Sequence, residues 1–164
     1  MEINDTNKYN TKDIAKWIRE QFKAKFKDLK ISVRTKYYSM GSSIHIHLMK
    51  SNLIKFIRDA TELNENNISS NIISGRGIEQ IRRVQGNKHH QLNGYTLREP
   101  FESKSWCNGV FLTEKGHNIL MEIEKIAHQY NYDNSDSRID YFDVNYYVNL
   151  ALGKWDKDFE DGLN

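Results

Sequence analysis

Apolar residues recur at three- and four-residue intervals in the first part of the chain. This spacing places them on one face of a helix, so the sequence predicts an amphipathic helix from Thr11 to about Leu29. Thr11 is a residue type that caps helix N-termini, and Asp13 places a negative charge in the first turn. The apolar positions of this helix are Ile14, Ile18, Phe22, Phe26 and Leu29.

The hydrophobic pattern then changes to alternation, which is the period of a β-strand. Two alternating runs flank the segment Ser39–Ser42, where Gly41 tolerates a positive φ, and this arrangement predicts a β-hairpin. We expect the aliphatic face of the hairpin to pack on the helix and the opposite face to meet solvent. That opposite face carries Lys30, Arg34, Lys36, His45 and His47.

Further periodic segments follow the hairpin. Three of them have a helical period, and the last shows the strict alternation of a strand. Thr113 is the predicted cap of the third of these helices. The predicted helices are Ser51–Leu63, Ile78–Val84 and Thr113–Tyr130, the predicted strand is Phe142–Leu150, and residues 64–76 and 86–95 are predicted loops and turns.

These elements together predict an α+β fold. The N-terminal helix packs on the hairpin to form one unit (residues 11–48), further helices follow, and the long C-terminal strand completes a small antiparallel sheet. The chain has 164 residues and no linker-like segment, so we expect one domain over residues 1–164. Residues 154–164 are a predicted polar tail, in which Trp155 and Phe159 are candidates to pack back on the domain.

Composition limits the environment of the protein. Cys107 is the one cysteine, so the chain forms no internal disulfide and has no cysteine-based zinc site. No apolar run has the length of a membrane span, and the N-terminus lacks the features of a signal peptide. We therefore expect a cytoplasmic protein with no membrane partner.

Charge is distributed unevenly along the chain. The net charge is +2, but residues 1–100 carry 18 Lys/Arg against 10 Asp/Glu, whereas residues 101–164 carry 6 against 12. One interpretation is a bipolar surface with a face for polyanions. The other is that the two halves pair their charges across the folded surface.

Candidate chemical groups do not assemble into a recognisable catalytic or metal motif. His45 and His47 share a strand face, but no carboxylate or cysteine partner accompanies them, and Arg34 and Lys36 repel a cation. The acidic segment after Asp133 fails the EF-hand pattern, because its sixth position is arginine. We predict no catalytic residue, no metal and no cofactor.

The basic hairpin and the adjoining helix are the predicted binding surface. Alternating cations with interleaved aromatic and histidine side chains suit contacts to phosphates and stacking on bases. An ordinary solvated sheet face has a similar composition, so both interpretations stay open. The candidate binding residues are Lys23, Lys27, Lys30, Arg34, Lys36, Tyr37, His45 and His47.

Two segments of the chain resemble a known family, the large polyvalent protein-associated domains, and in particular the twenty-ninth of that series. The first is residues 11–46, with a Thr-capped helix, the strand Lys30–Tyr38 and the Ser/Gly turn into Ile44–Ile46. The second is residues 132–156, which resembles small phage proteins of this kind. The resemblance implies an accessory protein of a phage or other mobile element, without established catalytic residues.

The leading hypothesis is a non-enzymatic counter-defence inhibitor, similar in role to an anti-CRISPR. Its partner would be a host defence protein or nucleoprotein complex, or the nucleic acid of that complex, and the acidic C-terminal half is an alternative surface that would mimic nucleic acid. A general DNA- or RNA-binding module is the alternative from another class. A third is a metal-dependent nuclease or hydrolase that uses His45, His47, His89 and the aspartates. The aromatic last strand could also form a homodimer surface.

Overall fold

The computed structural model describes residues 9–59, 89–98, 111–139 and 143–162. Within these ranges the chain forms three helices and four strands. The α+β class predicted from the sequence is confirmed. In chain order the elements are α1 (Thr11–Lys25), β1 (Leu29–Tyr38), β2 (Gly41–Ser51), β3 (His90–Leu92), α2 (Gly94–Arg98), α3 (Glu114–His128) and β4 (Tyr147–Leu152).

Helix α1 has the predicted amphipathic character but different ends. Asn10, not Thr11, is the cap, and its side chain accepts hydrogen bonds from the N–H groups of Lys12 and Asp13. Thr11 is buried in the first turn, where its hydroxyl lies 2.6 Å from the Ser42 hydroxyl of β2. The helix ends at Lys25 because Phe26 leaves the helical conformation, although its side chain stays in the core.

The four strands form one sheet in the order β1-β2-β4-β3. The predicted hairpin is confirmed. Its antiparallel pairing runs from Leu29 opposite Ser51 to Tyr38 opposite Gly41. The prediction of a purely antiparallel sheet is wrong, because β2 and β4 are parallel. A parallel pair needs a crossover connection, and α3 supplies the helix that precedes β4.

One face of the sheet is aliphatic and holds the core. Across the parallel pair Ile44, Ile46 and Leu48 lie beside Val148, Leu150 and Leu152 respectively. Helices α1 and α3 pack on this side, which we call the inner face. Each fully buried aliphatic side chain contributes about 1.5–3 kcal/mol of transfer free energy.

The predicted helix at Ser51–Leu63 is wrong over its described part, residues 51–59. Ser51 ends β2 instead, and its hydroxyl bonds both the N–H and the carbonyl of Ile54. The N–H groups of the residues that follow are taken by distant partners: those of Phe56 and Ile57 by the Asp161 carboxylate, and that of Arg58 by the Phe111 carbonyl. Tertiary hydrogen bonds therefore replace those that a helix would make.

The later elements differ from prediction mainly at their boundaries. Helix α3 is confirmed, with the Thr113 hydroxyl accepting a hydrogen bond from Gly116 N–H. Strand β4 begins at Tyr147, because residues 143–145 of the predicted strand bond back to the turn at Tyr132 and Asn134, and Phe142 lies outside the described residues. Strand β3 and helix α2 occupy sequence predicted as turn. The predicted helix at Ile78–Val84 and loop at residues 64–76 lie outside the described residues.

The C-terminal segment is anchored to the core through residue 161. Phe159 is completely buried and meets Phe56 edge-to-face, whereas Trp155 is 87% exposed. Beside Phe159, the main chain of Glu160 bonds the main chain of Met49 and Ser51. The carboxylate of Asp161 accepts hydrogen bonds from Phe56 N–H at 2.7 Å and Ile57 N–H at 2.9 Å.

We expect Asp161→Ala to destabilise the protein by about 2 kcal/mol, because two partly buried N–H groups lose a charged acceptor. Asp158→Ala is the matched control, since Asp158 is an exposed aspartate of the same segment. Urea unfolding at neutral pH measures both free energies. Equal values for the two variants would contradict the anchoring role of Asp161.

Candidate functional site

The face of the sheet opposite the inner face is polar, and we call it the outer face. Strand pairing aligns its side chains in rows that cross β1, β2 and β4. Both long helices pack on the other side of the sheet. The rows are Lys36, Ser43 and Tyr147; then Arg34, His45 and Asn149; then Ser32, His47 and Ala151.

The outer face carries cations that no described carboxylate neutralises. Arg34 and Lys36 are exposed on alternate positions of β1, and neither forms an ion pair with a described residue. At the border of the sheet, in contrast, Lys50 pairs with Glu160 at 2.9 Å. The charge on the outer face is therefore available to an anionic ligand.

Two histidines occupy the middle strand of this face. Their rings are nearly parallel, with centroids 6.4 Å apart. The Nδ1–H of His47 donates to the Gly153 carbonyl at 2.8 Å, and His45 Nε2 lies 2.9 Å from the Ser43 hydroxyl. These hydrogen bonds fix the rings in place, with their planes side by side on the sheet.

The pKa values of both histidines are lowered from the ordinary 6.5. For His45 the causes are burial, then His47, then Lys36. For His47, burial is again the largest cause, the Gly153 hydrogen bond opposes it, and nearby basic groups lower the pKa further. Those groups are Lys154, His89 and Arg34. Both rings are therefore neutral at neutral pH.

Aromatic side chains lie at one end of the outer face. Tyr147 is 46% exposed beside Ser43, and Tyr38 is 44% exposed nearby on β1, where its hydroxyl donates to the Ser42 carbonyl at 3.2 Å. At the other end, the charge of Lys154 acts on His47. Exposed aromatic groups next to cations suit ligands that stack.

The structure divides the predicted binding residues into groups. Arg34, Lys36, His45 and His47 are together on the outer face. Lys23 and Lys30 border a groove of 240 Å³ at the free edge of β1, where Arg19 donates to the Val33 carbonyl. Tyr37 occupies an inner-face position of β1 near the end of the strand, outside the core. Lys27 lies in the turn after α1.

A cleft that the sequence pattern did not predict lies where β3, α2 and α3 meet the start of β4. Its volume is 780 Å³. Glu124 is its central group, and this residue is only 5% exposed. Arg98 donates to Glu124 Oε1 through Nε at 3.0 Å and Nη2 at 2.6 Å, and its guanidinium lies 5.9 Å from the Tyr95 ring centre.

His128 is the third ionisable side chain in contact with this group. Its Nε2 lies 3.2 Å from Glu124 Oε1, and the Asn131 side-chain amide approaches its Nδ1 at 3.4 Å. Both contacts fit a neutral ring that donates through Nε2. Burial is the largest influence on the pKa of His128 and lowers it, while Glu124 raises it and Arg98 lowers it.

The spacing of residues on α3 contains the signal for this cleft. Glu124 and His128 are four residues apart, hence on one helix face, and that face also includes the buried His117 and Leu120. Ionisable groups within an apolar stripe are candidates for a site. The sequence alone did not reveal Arg98, because no helix was predicted over residues 94–98.

The acidic turn has a structural use in the described residues. Asp133 accepts a hydrogen bond from Ser135 N–H, and Asp136 accepts from the N–H and side chain of Arg138. Over the described ranges, no three His, Cys, Asp or Glu side chains are grouped to hold a metal ion. None of the three described helices is both long and apolar enough to cross a membrane.

These features define a small α+β protein with a basic sheet face and a neighbouring polar cleft. The family model described as large polyvalent protein associated domain 29 matches residues 9–152, and the chain belongs to this family. It is therefore a protein associated with phages or other mobile elements. The family predicted from two segments is confirmed over most of the chain. Comparisons with curated proteins and with solved structures each returned no significant match.

We expect Arg98→Leu to cost about 2 kcal/mol, because it removes two hydrogen bonds from a buried carboxylate. Arg138→Leu is the matched control, since that arginine binds the more exposed Asp136 and such surface pairs contribute about 1 kcal/mol or less. Urea unfolding measures both. Arg98→Leu also removes a charge that lowers the pKa of His128, so NMR titration is expected to show that pKa rise. Equal unfolding losses and an unchanged His128 titration would refute this role of Arg98.

Proposed function

We propose that this protein is a non-enzymatic counter-defence accessory protein of a phage or mobile element, with a role like that of an anti-CRISPR. It acts in the host cytoplasm and binds the nucleic acid of a host defence nucleoprotein through the outer face. The observation that carries the proposal is the co-location of Arg34, Lys36, His45 and His47 on one face of the sheet, without a described carboxylate that neutralises the two cations. Family membership supports the mobile-element setting.

The chemistry of the outer face favours a nucleic acid over an acidic protein. Arg34 and Lys36 are two residues apart on one strand, so their Cα atoms are separated by about 7 Å, close to the spacing of phosphates along a strand. Tyr38 and Tyr147 are exposed at one end of this face, and nucleobases stack on such rings. An acidic protein patch would use the cations but leave the aromatic groups without a matching partner.

Charge reversal on β1 tests this proposal. We expect Arg34→Glu combined with Lys36→Glu to weaken binding of single-stranded oligonucleotides by at least tenfold. The slope of log affinity against log salt should fall by about 1 for each lost phosphate contact. Fluorescence anisotropy over a salt series measures both quantities.

The matched control reverses two cations on the opposite side of the protein. Lys12 and Lys115 are exposed in the first turns of α1 and α3, where glutamate suits the helix dipole. Lys12→Glu combined with Lys115→Glu changes the net charge by the same amount. If both double variants lose affinity equally, net charge rather than the outer face drives binding and the proposal fails.

Binding should strengthen as pH falls, because a polyanion favours the protonated form of His45 and His47. We expect affinity to rise about tenfold between pH ~7.5 and pH ~5.5, since each unit of pKa difference between free and bound forms is a factor of ten. Anisotropy titrations of the protein and of His45→Gln combined with His47→Gln measure this change. A double variant that keeps the full pH dependence would exclude these two rings.

Protein stability should change in the opposite direction over the same range. The folded pKa values of His45 and His47 lie below the unfolded value of 6.5. The unfolded state therefore binds more protons than the folded state as pH falls. The contribution of the two histidines to stability is full above pH 6.5 and is lost as pH falls through their folded pKa values. Urea unfolding is expected to show this loss, reduced in the double glutamine variant.

A general nucleic-acid-binding module would use the same face. The two roles differ in the preferred target, and the discriminating experiment compares a purified defence nucleoprotein with its free guide or substrate strand. Counter-defence predicts tighter binding to the nucleoprotein and inhibition of its activity at stoichiometric amounts. Equal affinity for any free strand, without inhibition, would favour the module.

A further inference from the structure

We infer that the cleft beside the outer face receives one unpaired, amino-bearing nucleobase of the strand that the outer face holds. The inference rests on the proposed nucleic-acid binding and adds a class of ligand: single-stranded nucleic acid with an adenine, cytosine or guanine at one position. It is carried by the place, the size and the lining of the cleft.

The cleft and the outer face share residues at their boundary. Tyr147 belongs to the first row of the outer face and also lines the cleft. Gln91 of β3 also lines the cleft, and it is paired with Ala151 in the third row of the outer face. A strand bound across β2 and β4 therefore passes the opening of the cleft.

The lining suits a base better than a phosphate. Arg98 contributes one positive charge, Glu124 and Asp133 contribute two negative charges, and His128 is held neutral, so the cleft is net anionic at neutral pH. Phosphates are repelled from such a site and attracted to the outer face. An amino group on a base edge is instead a donor that carboxylate oxygens accept.

Glu124 is the acceptor that the geometry makes available. Its Oε1 receives Arg98 and His128, which fix the carboxylate in position. No described residue bonds Oε2, and that atom is not among the buried side-chain atoms without a partner, so it has some access to the cleft. Adenine, cytosine and guanine offer it an exocyclic amino group, whereas thymine and uracil do not.

The aromatic groups supply the stacking surface. Tyr95 is 80% exposed at the cleft, and Arg98 lies over its ring. Gly94 precedes it, and a Cβ at that position would lie 3.1 Å from Glu124 Oε1, so glycine keeps α2 close to the carboxylate. The ring is thereby placed beside the acceptor, as recognition of a flipped base requires.

The test measures binding of the full chain to homo-oligomers of deoxyadenosine, deoxycytidine and thymidine of equal length. We expect at least one amino-bearing oligomer to bind about tenfold tighter than the thymidine oligomer. Glu124→Gln should abolish this preference and leave the salt slope unchanged. Tyr95→Ala, an exposed substitution, should weaken the preferred oligomer about tenfold with the same salt slope. Ile139→Ala, equally exposed outside the cleft, is the control.

Two outcomes separate failure of this inference from failure of the proposed function. Binding without base preference, or binding that Tyr95→Ala leaves intact, overturns the inference and leaves the outer face as the binding surface. Absence of strand binding overturns the proposed function. In that case, NMR titration with deoxycytidine, deoxyadenosine and thymidine decides the cleft separately: perturbation of Glu124 and Tyr95 by the amino nucleosides alone supports base recognition, and its absence overturns it. If Glu124→Gln fails to fold, Tyr95→Ala carries the test.

Discussion

The parallel pairing of β2 with β4 is the constraint on which the described structure depends. It places the last strand of the chain beside the second strand of the hairpin, at the centre of the sheet. The aliphatic inner faces of the two strands become one surface, and α1 and α3 cover it together. The same pairing brings Gly153 to the end of β2, where it bonds both the main chain of Leu48 and the ring of His47. The core and the candidate binding surface thus share one cause.

The character of the outer face follows from the position of the described helices α1 and α3, which pack on the inner face. A sheet face without packed helices must carry polar groups, and here those groups are concentrated cations and histidines rather than mixed charges. Partial burial and neighbouring cations keep His45 and His47 neutral, which limits repulsion within the free protein. A polyanion bound there, as we propose, would favour the protonated form of both rings and so raise the positive charge of the face.

The sequence predicted the elements whose pattern is local. Helix α1, the hairpin and helix α3 have clear periodicity and lie within a few residues of their predicted positions. The helix predicted from Ser51 was wrong because the backbone N–H groups of Phe56 and Ile57 are bound by Asp161, about a hundred residues away in sequence. No local pattern reports such a partner. Strand β3 is only three residues long, and its pairing with β4 likewise depends on tertiary contact.

The candidate site shows the same division between local and long-range information. Alternation placed Arg34, Lys36, His45 and His47 on one face, because a β-strand fixes side-chain direction every second residue. Register alone, however, brings Tyr147 and Asn149 to that face, and register between β2 and β4 is not encoded in either strand separately. The cleft could not be predicted from strand alternation, because Arg98 contacts Glu124 only where α2 packs on α3. The cationic face and the anionic cleft then meet at Tyr147. Two adjoining sites of opposite charge suit a ligand with an anionic backbone and neutral bases that carry amino donors, which a uniformly acidic protein surface does not provide.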